Sequence, residues 1–240
     1  MLHHQSTGSG PPILLLPGLL GTIESDWQRF IQPIADMGYT VIAADLPGHG
    51  QSEMTKSLTM RVIVEEIERL LSGIHADPAV ILGYSTGGYA GLSFALKHLG
   101  RVVGLWMHGT KFYWSGEEAE NLAAELDAVW LEENNPDRLA ELRTRHGVEK
   151  LDAILPWANK IISGMPDSGL TEMELEDLDL PVVISVGDRD ELVPVNEAVD
   201  LQRALRRAQL SVFADTNHPL PSLRDHVFLP AFRDFLNRLD

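Results

Sequence analysis

Ser85 stands in the tract Leu82-Gly83-Tyr84-Ser85-Thr86-Gly87-Gly88, which has the form Gly-x-Ser-x-Gly. An apolar run, Ala79-Val80-Ile81-Leu82, precedes it, and a helix-compatible stretch from Tyr89 to His98 follows. A strand, a sharp turn and a helix in that order hold a serine hydroxyl out as a nucleophile. So tight a turn leaves no room for Cβ atoms at Gly83 and Gly87, and puts strained dihedrals on the serine itself. A serine hydroxyl alone is a weak nucleophile. The chemistry also needs a base, an acid to orient that base, and donors for a developing oxyanion.

Open α/β sheets gather reactive residues beyond the C-terminal ends of their strands. Two later strand-like runs are followed by such residues. After Pro181-Val182-Val183-Ile184-Ser185-Val186 comes Gly187-Asp188-Arg189-Asp190-Glu191-Leu192-Val193-Pro194, in which two aspartates compete for the acid role. After Ser211-Val212-Phe213-Ala214 comes Asp215-Thr216-Asn217-His218-Pro219. His218 would take the Ser85 proton, and an aspartate would fix its tautomer and stabilise the imidazolium.

These residues need a scaffold, and the hydrophobic pattern supplies one. Strands are expected at Ile13–Leu16, Tyr39–Ala44, Ala79–Leu82, Val102–Met107, Pro181–Val186 and Ser211–Ala214. Helices are expected at Trp27–Met37, Met60–Leu71, Tyr89–His98 and Val195–Arg207, with a last one through Ala231–Leu236 opened by Pro230. Continuous apolar strands interleaved with helices predict an α/β fold whose mostly parallel sheet carries helices on both faces. Residues 111–180 break the rhythm, being helical in pattern with no clear core strand. They are expected to form an inserted helical cap, with 1–110 and 181–240 as the core. Between Ser115 and Leu180 there are 17 Asp and Glu against 5 Lys and Arg, a local charge of −12.

Composition narrows the function classes. The 240 residues carry a net charge of −16, which disfavours nucleic acid and anionic membrane surfaces. With no cysteine there is no disulfide, no thiol nucleophile and no Cys-ligated metal. The chain has neither a His-Glu-x-x-His run nor a Gly-x-Gly-x-x-Gly after a strand, so no metal, dinucleotide or other cofactor is expected. No apolar run reaches membrane-spanning length, and the first ten residues lack the pattern of a signal peptide. A cytoplasmic location without membrane insertion is the expectation.

With these tracts assembled, the chain resembles an α/β-hydrolase-fold serine hydrolase, esterase-like with a helical cap. Leu16-Pro17-Gly18-Leu19-Leu20-Gly21 resembles the family's oxyanion loop, and Asp45-Leu46-Pro47-Gly48-His49-Gly50-Gln51-Ser52 the loop after the next strand. Gly83 to Gly88 resembles the nucleophile elbow. In the acid loop the family's acid stands three residues after the glycine and four before the proline, which places it on Asp190. Asn217-His218 sits where the family has its base. The serine, aspartate, histidine order is also the one this architecture uses. The resemblance implies an oxyanion hole from the backbone N–H groups of Leu19 and Thr86. Pro17 departs from the histidine that many members carry before the glycine.

The implied reaction is cleavage of a small or medium carboxylic ester through an acyl-enzyme on Ser85. The same triad serves C–C bond hydrolases, thioesterases, lactonases and lyases, and some proteins of this fold are ligand receptors with weak catalysis. Candidate pocket residues are Tyr84, His108, Trp114, Trp130 and Trp157. His108 ends its strand at the rim, where it would contact substrate or pack under the cap. The tryptophans would line an acyl pocket or pack between helices. His49 reads as loop architecture, and His146 as a solvated or helix-face residue. If cap carboxylates face the cleft they repel polyanions, so the small-molecule substrate is expected to be a neutral ester.

Overall fold

The computed structural model describes residues 2–239. Strand β1 is His4–Gly8 and β2 is Pro12–Leu16. A five-residue π-helical turn, Ile23–Trp27, leads into α1, Gln28–Ala35. There follow β3 (Thr40–Ala44), α2 (Met60–Gly73), β4 (Ala79–Tyr84), α3 (Thr86–Lys97) and β5 (Val102–His108). Five helices come next: α4 (Gly116–Ala124), α5 (Ala128–Asn134), α6 (Pro136–His146), α7 (Val148–Ser168) and α8 (Glu172–Leu175). The chain closes with β6 (Val182–Gly187), α9 (Val195–Ala204), β7 (Ala208–Phe213) and α10 (Asp225–Asn237). Among the described residues no helix is long and apolar enough to cross a membrane.

The seven strands lie in the order β1-β3-β2-β4-β5-β6-β7, and only β1 runs antiparallel. Strands buried on both faces explain the unbroken apolar runs. Leu14, Leu16, Ile81, Leu105 and Ile184 face the α2, α3 and α9 side. Ile13, Leu15, Val80, Trp106 and Val183 face the other, against Phe30 of α1 and Phe228, Phe232 and Phe235 of α10. The register aligns Leu16 with Gly83, Tyr84 with His108, and His108 with Ser185. The C-terminal ends of β2, β4, β5, β6 and β7 therefore form one edge, from which the loops carrying the candidate site residues emerge.

Three elements differ from the sequence expectation. His4–Gly8 has a polar, half-exposed pattern, which is an edge strand's pattern and carries little periodic signal. The last strand starts at Ala208, three residues before Ser211. Pro230 lies inside α10 instead of opening it. The donor that Pro230 lacks would have met the carbonyl of His226, an exposed position that water can satisfy.

Helices α4–α8 join β5 to β6 and carry their own apolar cluster of Leu131, Leu139, Leu142, Leu151, Ile154 and Leu155. Leu20, from the loop after β2, is buried in that cluster. Its carbonyl accepts from Arg145 Nη1 at 2.8 Å and from His146 Nε2 at 3.1 Å. The same imidazole accepts the Gly50 N–H at Nδ1, 3.0 Å away, and Lys150 Nζ donates to the carbonyls of Gly50 and Ser52. His146 is thus a buried tie between the insert and two core loops, not a solvated side chain. Its hydrogen bonds require the neutral ring.

Packing here generates two predictions. Phe228 is fully buried, with the rings of Phe30, Trp106 and Phe232 centred 5.1, 5.7 and 5.6 Å away. Phe228→Ala is expected to cost about 3–5 kcal/mol, read as a lower urea midpoint at unchanged slope. The second concerns acid. Burial pushes His49 down to about 3, and His108 and His146 to about 4, from 6.5. The unfolded chain therefore binds these protons first as the pH falls. Stability from all three is complete above about pH 7 and is lost progressively below about pH 6.5. The melting temperature should fall across that window, and His146→Asn should make the fall shallower. An unchanged slope would show that His146 is not buried neutral.

Candidate active site

The turn between β4 and α3 holds Ser85 at φ 50°, ψ −120°. This left-handed region is costly for a residue with a side chain, and the surroundings enforce it. A Cβ at Gly83 would overlap the backbone of Gly87 and Gly88, and one at Gly87 would overlap the carbonyl oxygens of Leu16 and Pro17. The Ser85 N–H donates to the His108 carbonyl at 2.8 Å, and Thr110 Oγ1 donates to the Ser85 carbonyl at 3.2 Å. The end of β5 thus fixes the serine's backbone on both sides.

Asp190 and His218 meet across the loops that follow β6 and β7. His218 Nδ1 lies 2.9 Å from Asp190 Oδ2 and 3.1 Å from Oδ1. Asp190 Oδ1 also accepts the N–H groups of Leu192 and Val193, so the carboxylate is pinned and its side chain is closed to solvent. Gly109, at φ +56°, stands beside the pair, where a Cβ would approach His218 Cε1 and Asp190 Oδ2 to 3.3 and 3.4 Å. Asp188 has a different task. Its Oδ1 accepts the Thr216 N–H at 3.2 Å and ties the acid loop to the loop bearing His218. With Nδ1 engaged by Asp190, Nε2 is the ring nitrogen left for proton transfer.

Ser85, Thr86, Leu19 and His218 all line one cavity of about 460 Å³. Thr86 opens α3, where a backbone N–H has no acceptor within its own helix. Among the described residues neither the Leu19 nor the Thr86 N–H has an internal acceptor. The loop that carries Leu19 is braced from outside. Asp26 Oδ2 accepts the Gly18 N–H at 3.0 Å, while Asp26 Oδ1 takes the Ser25 hydroxyl. Burial raises the Asp26 carboxyl above the usual range, and its own hydrogen bonds oppose the rise. Leu20, next in the chain, sits at φ 60° with its carbonyl held by Arg145 and His146. Sequence reasoning missed Asp26, Arg145 and His146. The Thr22–Ser25 capping box was the local signal that a structured turn begins there.

Of the expected pocket residues, Tyr84 and Trp114 line the cavity, and His108, Trp130 and Trp157 do not. His108 is buried behind Tyr84, with Nδ1 3.0 Å from Ser185 Oγ. Trp130 packs on the insert's leucine cluster and Trp157 on the main core. The wall that the insert contributes is apolar: Leu122, Leu126, Ile161, Ile162 and Met165. No Asp or Glu lines the cavity among the described residues; its charged side chains are Lys111 and Arg138. Lys111 Nζ is neutralised by Glu197 and Glu118 at 3.0 and 3.1 Å. None of the insert's carboxylates therefore lines this cavity among the described residues. No group of three or more His, Asp or Glu among the described residues is placed to hold a metal ion.

A family model described as the alpha/beta hydrolase fold matches residues 11–149, more than half of the chain. The human serine hydrolase BPHL is 26% identical over 98% of this chain and 82% of its own length. The pimeloyl-[acyl-carrier protein] methyl ester esterase of Vibrio campbellii is 29% identical, with 98% of each chain covered. Among solved structures, a thermophilic esterase from Thermogutta terrifontis superposes with a TM-score of 0.78 at 23% identity, covering 99% of this chain and 93% of that one. Motif order, sheet topology and these likenesses agree, and the chain belongs to the α/β-hydrolase fold family.

Proposed function

We propose that this enzyme is a serine hydrolase that cleaves a carboxylic ester through an acyl-enzyme on Ser85. The observation that carries the reading is the Asp190–His218 pair opening onto the same cavity as a serine held at positive φ. Ser85 Oγ attacks the ester carbonyl carbon while His218 Nε2 takes its proton. Asp190 keeps the other ring proton on Nδ1 and stabilises the imidazolium. The Leu19 and Thr86 N–H groups receive the oxyanion, a contribution worth about a hundred- to a thousandfold in rate for each donor. His218 then returns the proton to the departing alkoxide as the carbon–oxygen bond breaks. In the second half, water gives a proton to His218 and attacks the acyl carbon. The acid leaves and Ser85 recovers its hydrogen.

The apolar wall opposite Ser85 supports an uncharged acyl portion of small or medium size. It also explains why an acidic insert is compatible with the reaction. Several of the insert's carboxylates cap its helices, whereas Leu122, Leu126, Ile161 and Ile162 line the cavity.

A fluorophosphonate probe is expected to label the wild type and fail on Ser85→Ala. A folded wild type that resists labelling would sink the reading in favour of a binding protein. Turnover of p-nitrophenyl esters beside an acyl thioester and a C–C hydrolase substrate should favour the oxygen ester. Asp190→Asn is expected to lower kcat by about 10³–10⁴, since the wrong tautomer no longer accepts the serine proton. Asp188→Asn should cost less than about tenfold, because its role is one loop tie among several. Equal losses would show that the acid has been assigned to the wrong carboxylate.

A further inference from the structure

A second cavity of about 460 Å³ adjoins the one that holds Ser85. Four residues line both: Met60, Tyr89, Ile161 and Met165. Tyr89 is fixed, because its hydroxyl accepts the Leu170 N–H. The two methionines are unbranched and repack easily around whatever passes between them. Beyond them the walls are made by the start of α2, by α3 and by the second half of α7.

Most hydroxyls of this chamber are already engaged with the backbone. Ser93 donates to the Tyr89 carbonyl at 2.9 Å, Ser168 to that of Gly164 at 2.7 Å, and Ser163 to that of Lys160 at 3.4 Å. Thr59 Oγ1 accepts the Val62 N–H at the start of α2. Among the described residues the one charged side chain lining the chamber is Lys160, which is exposed. Walls whose hydroxyls are mostly engaged ask for few hydrogen bonds from an occupant, and methylene groups suit them.

The position of the base says which half of an ester goes there. His218 must protonate the leaving alcohol, so the alcohol lies on its side of Ser85. A third, polar cavity is bordered by Pro219, Leu220 and Pro221, the residues that follow His218, and also by Asp26, Arg138 and Glu141. The second cavity is bordered by no residue of that loop. The acyl half is therefore directed toward Met60 and Met165, and the alcohol half toward Pro219–Pro221.

We propose that the second chamber extends the acyl site, so that the substrates are esters of unbranched fatty acids too long for the Ser85 cavity alone. The proposal rests on the ester-hydrolase reading above and specifies its substrate class. Gly164 provides the test. It lines the second chamber and not the first, and a Cβ there meets only Ser168 Oγ, at 3.5 Å. Replacing a glycine inside a helix also favours the helix. Gly164→Phe should fill the chamber and leave the reacting groups untouched.

For the wild type, kcat/KM should rise about fourfold for each added methylene, from acetyl to dodecanoyl p-nitrophenyl esters. In Gly164→Phe the rise should stop at a shorter chain. The dodecanoyl ester should then lose at least about tenfold and the acetyl ester stay within about twofold. Gly164→Leu should give an intermediate loss, and it serves if the phenylalanine variant folds poorly. An unchanged ratio of long- to short-chain rates in both variants would overturn the proposal. So would a wild-type rise that already stops where the variant's does. Binding of hexanoate and dodecanoate to Ser85→Ala, with and without Gly164→Phe, separates this from the chemistry. If no ester is turned over but Gly164→Phe abolishes the preference for dodecanoate, the chamber binds chains and the ester reading alone fails. If binding is indifferent to the substitution, the chamber proposal fails whatever the enzyme hydrolyses.

Discussion

Parallel strands share one direction, so everything that leaves their C-terminal ends leaves from the same edge of the sheet. Every feature of the site depends on that constraint. The ends of β2, β4, β5, β6 and β7 are held in register by main-chain hydrogen bonds. Residues as far apart in the chain as Leu19, Ser85, Asp190 and His218 reach one small volume without long excursions. Each loop has only to turn, and local chemistry decides how. Glycine makes room at Gly83, Gly87 and Gly109, and aspartate side chains close the turns at Asp26, Asp188 and Asp190. The rigidity of the sheet is passed to groups that lie outside it.

Charge follows the same economy. The segment between β5 and β6 is strongly acidic, yet among the described residues none of its carboxylates lines the cavity that holds Ser85. Several are occupied at helix starts. Glu118 and Glu174 complete capping boxes with Ser115 and Thr171, and Asp127 caps α5. Acidic groups there complement the helix dipoles and hold short helices that propensity alone would not. A cluster of apolar side chains on the opposite face buries the segment against the core.

Much of this was legible in the residues. Continuous apolar runs announced the central strands, and Gly-x-Ser-x-Gly announced the turn at Ser85, because sterics there admit few alternatives. The residues alone left Asp188 and Asp190 as competitors; the resemblance of their loop to the family's acid loop pointed to Asp190, the carboxylate that lies against His218. Other features were illegible for physical reasons. β1 takes its order from pairing with β3, which leaves no periodicity in His4–Gly8. A buried histidine and a solvated one look alike in a string of letters, so His146 was misread. Trp114 reaches the cavity from the loop between β5 and α4, whereas Trp130 of α5 and Trp157 of α7 pack away from it, a difference that only the packed structure sets. The role of Asp26 depends on the Gly18 N–H, eight residues away, turning toward it.

The carbonyl of Leu20 has a consequence for how such a protein can change. Two donors from the insert, Arg145 and His146, hold the peptide next to the proposed oxyanion donor Leu19. The insert is therefore not an interchangeable hat upon an indifferent engine. A graft of another enzyme's insert would import a new pocket and, with it, a slackened loop beside the reacting carbonyl. A replacement for this segment that lacked such donors would leave that one carbonyl oxygen without its two partners. Selectivity and rate are in this respect inherited together.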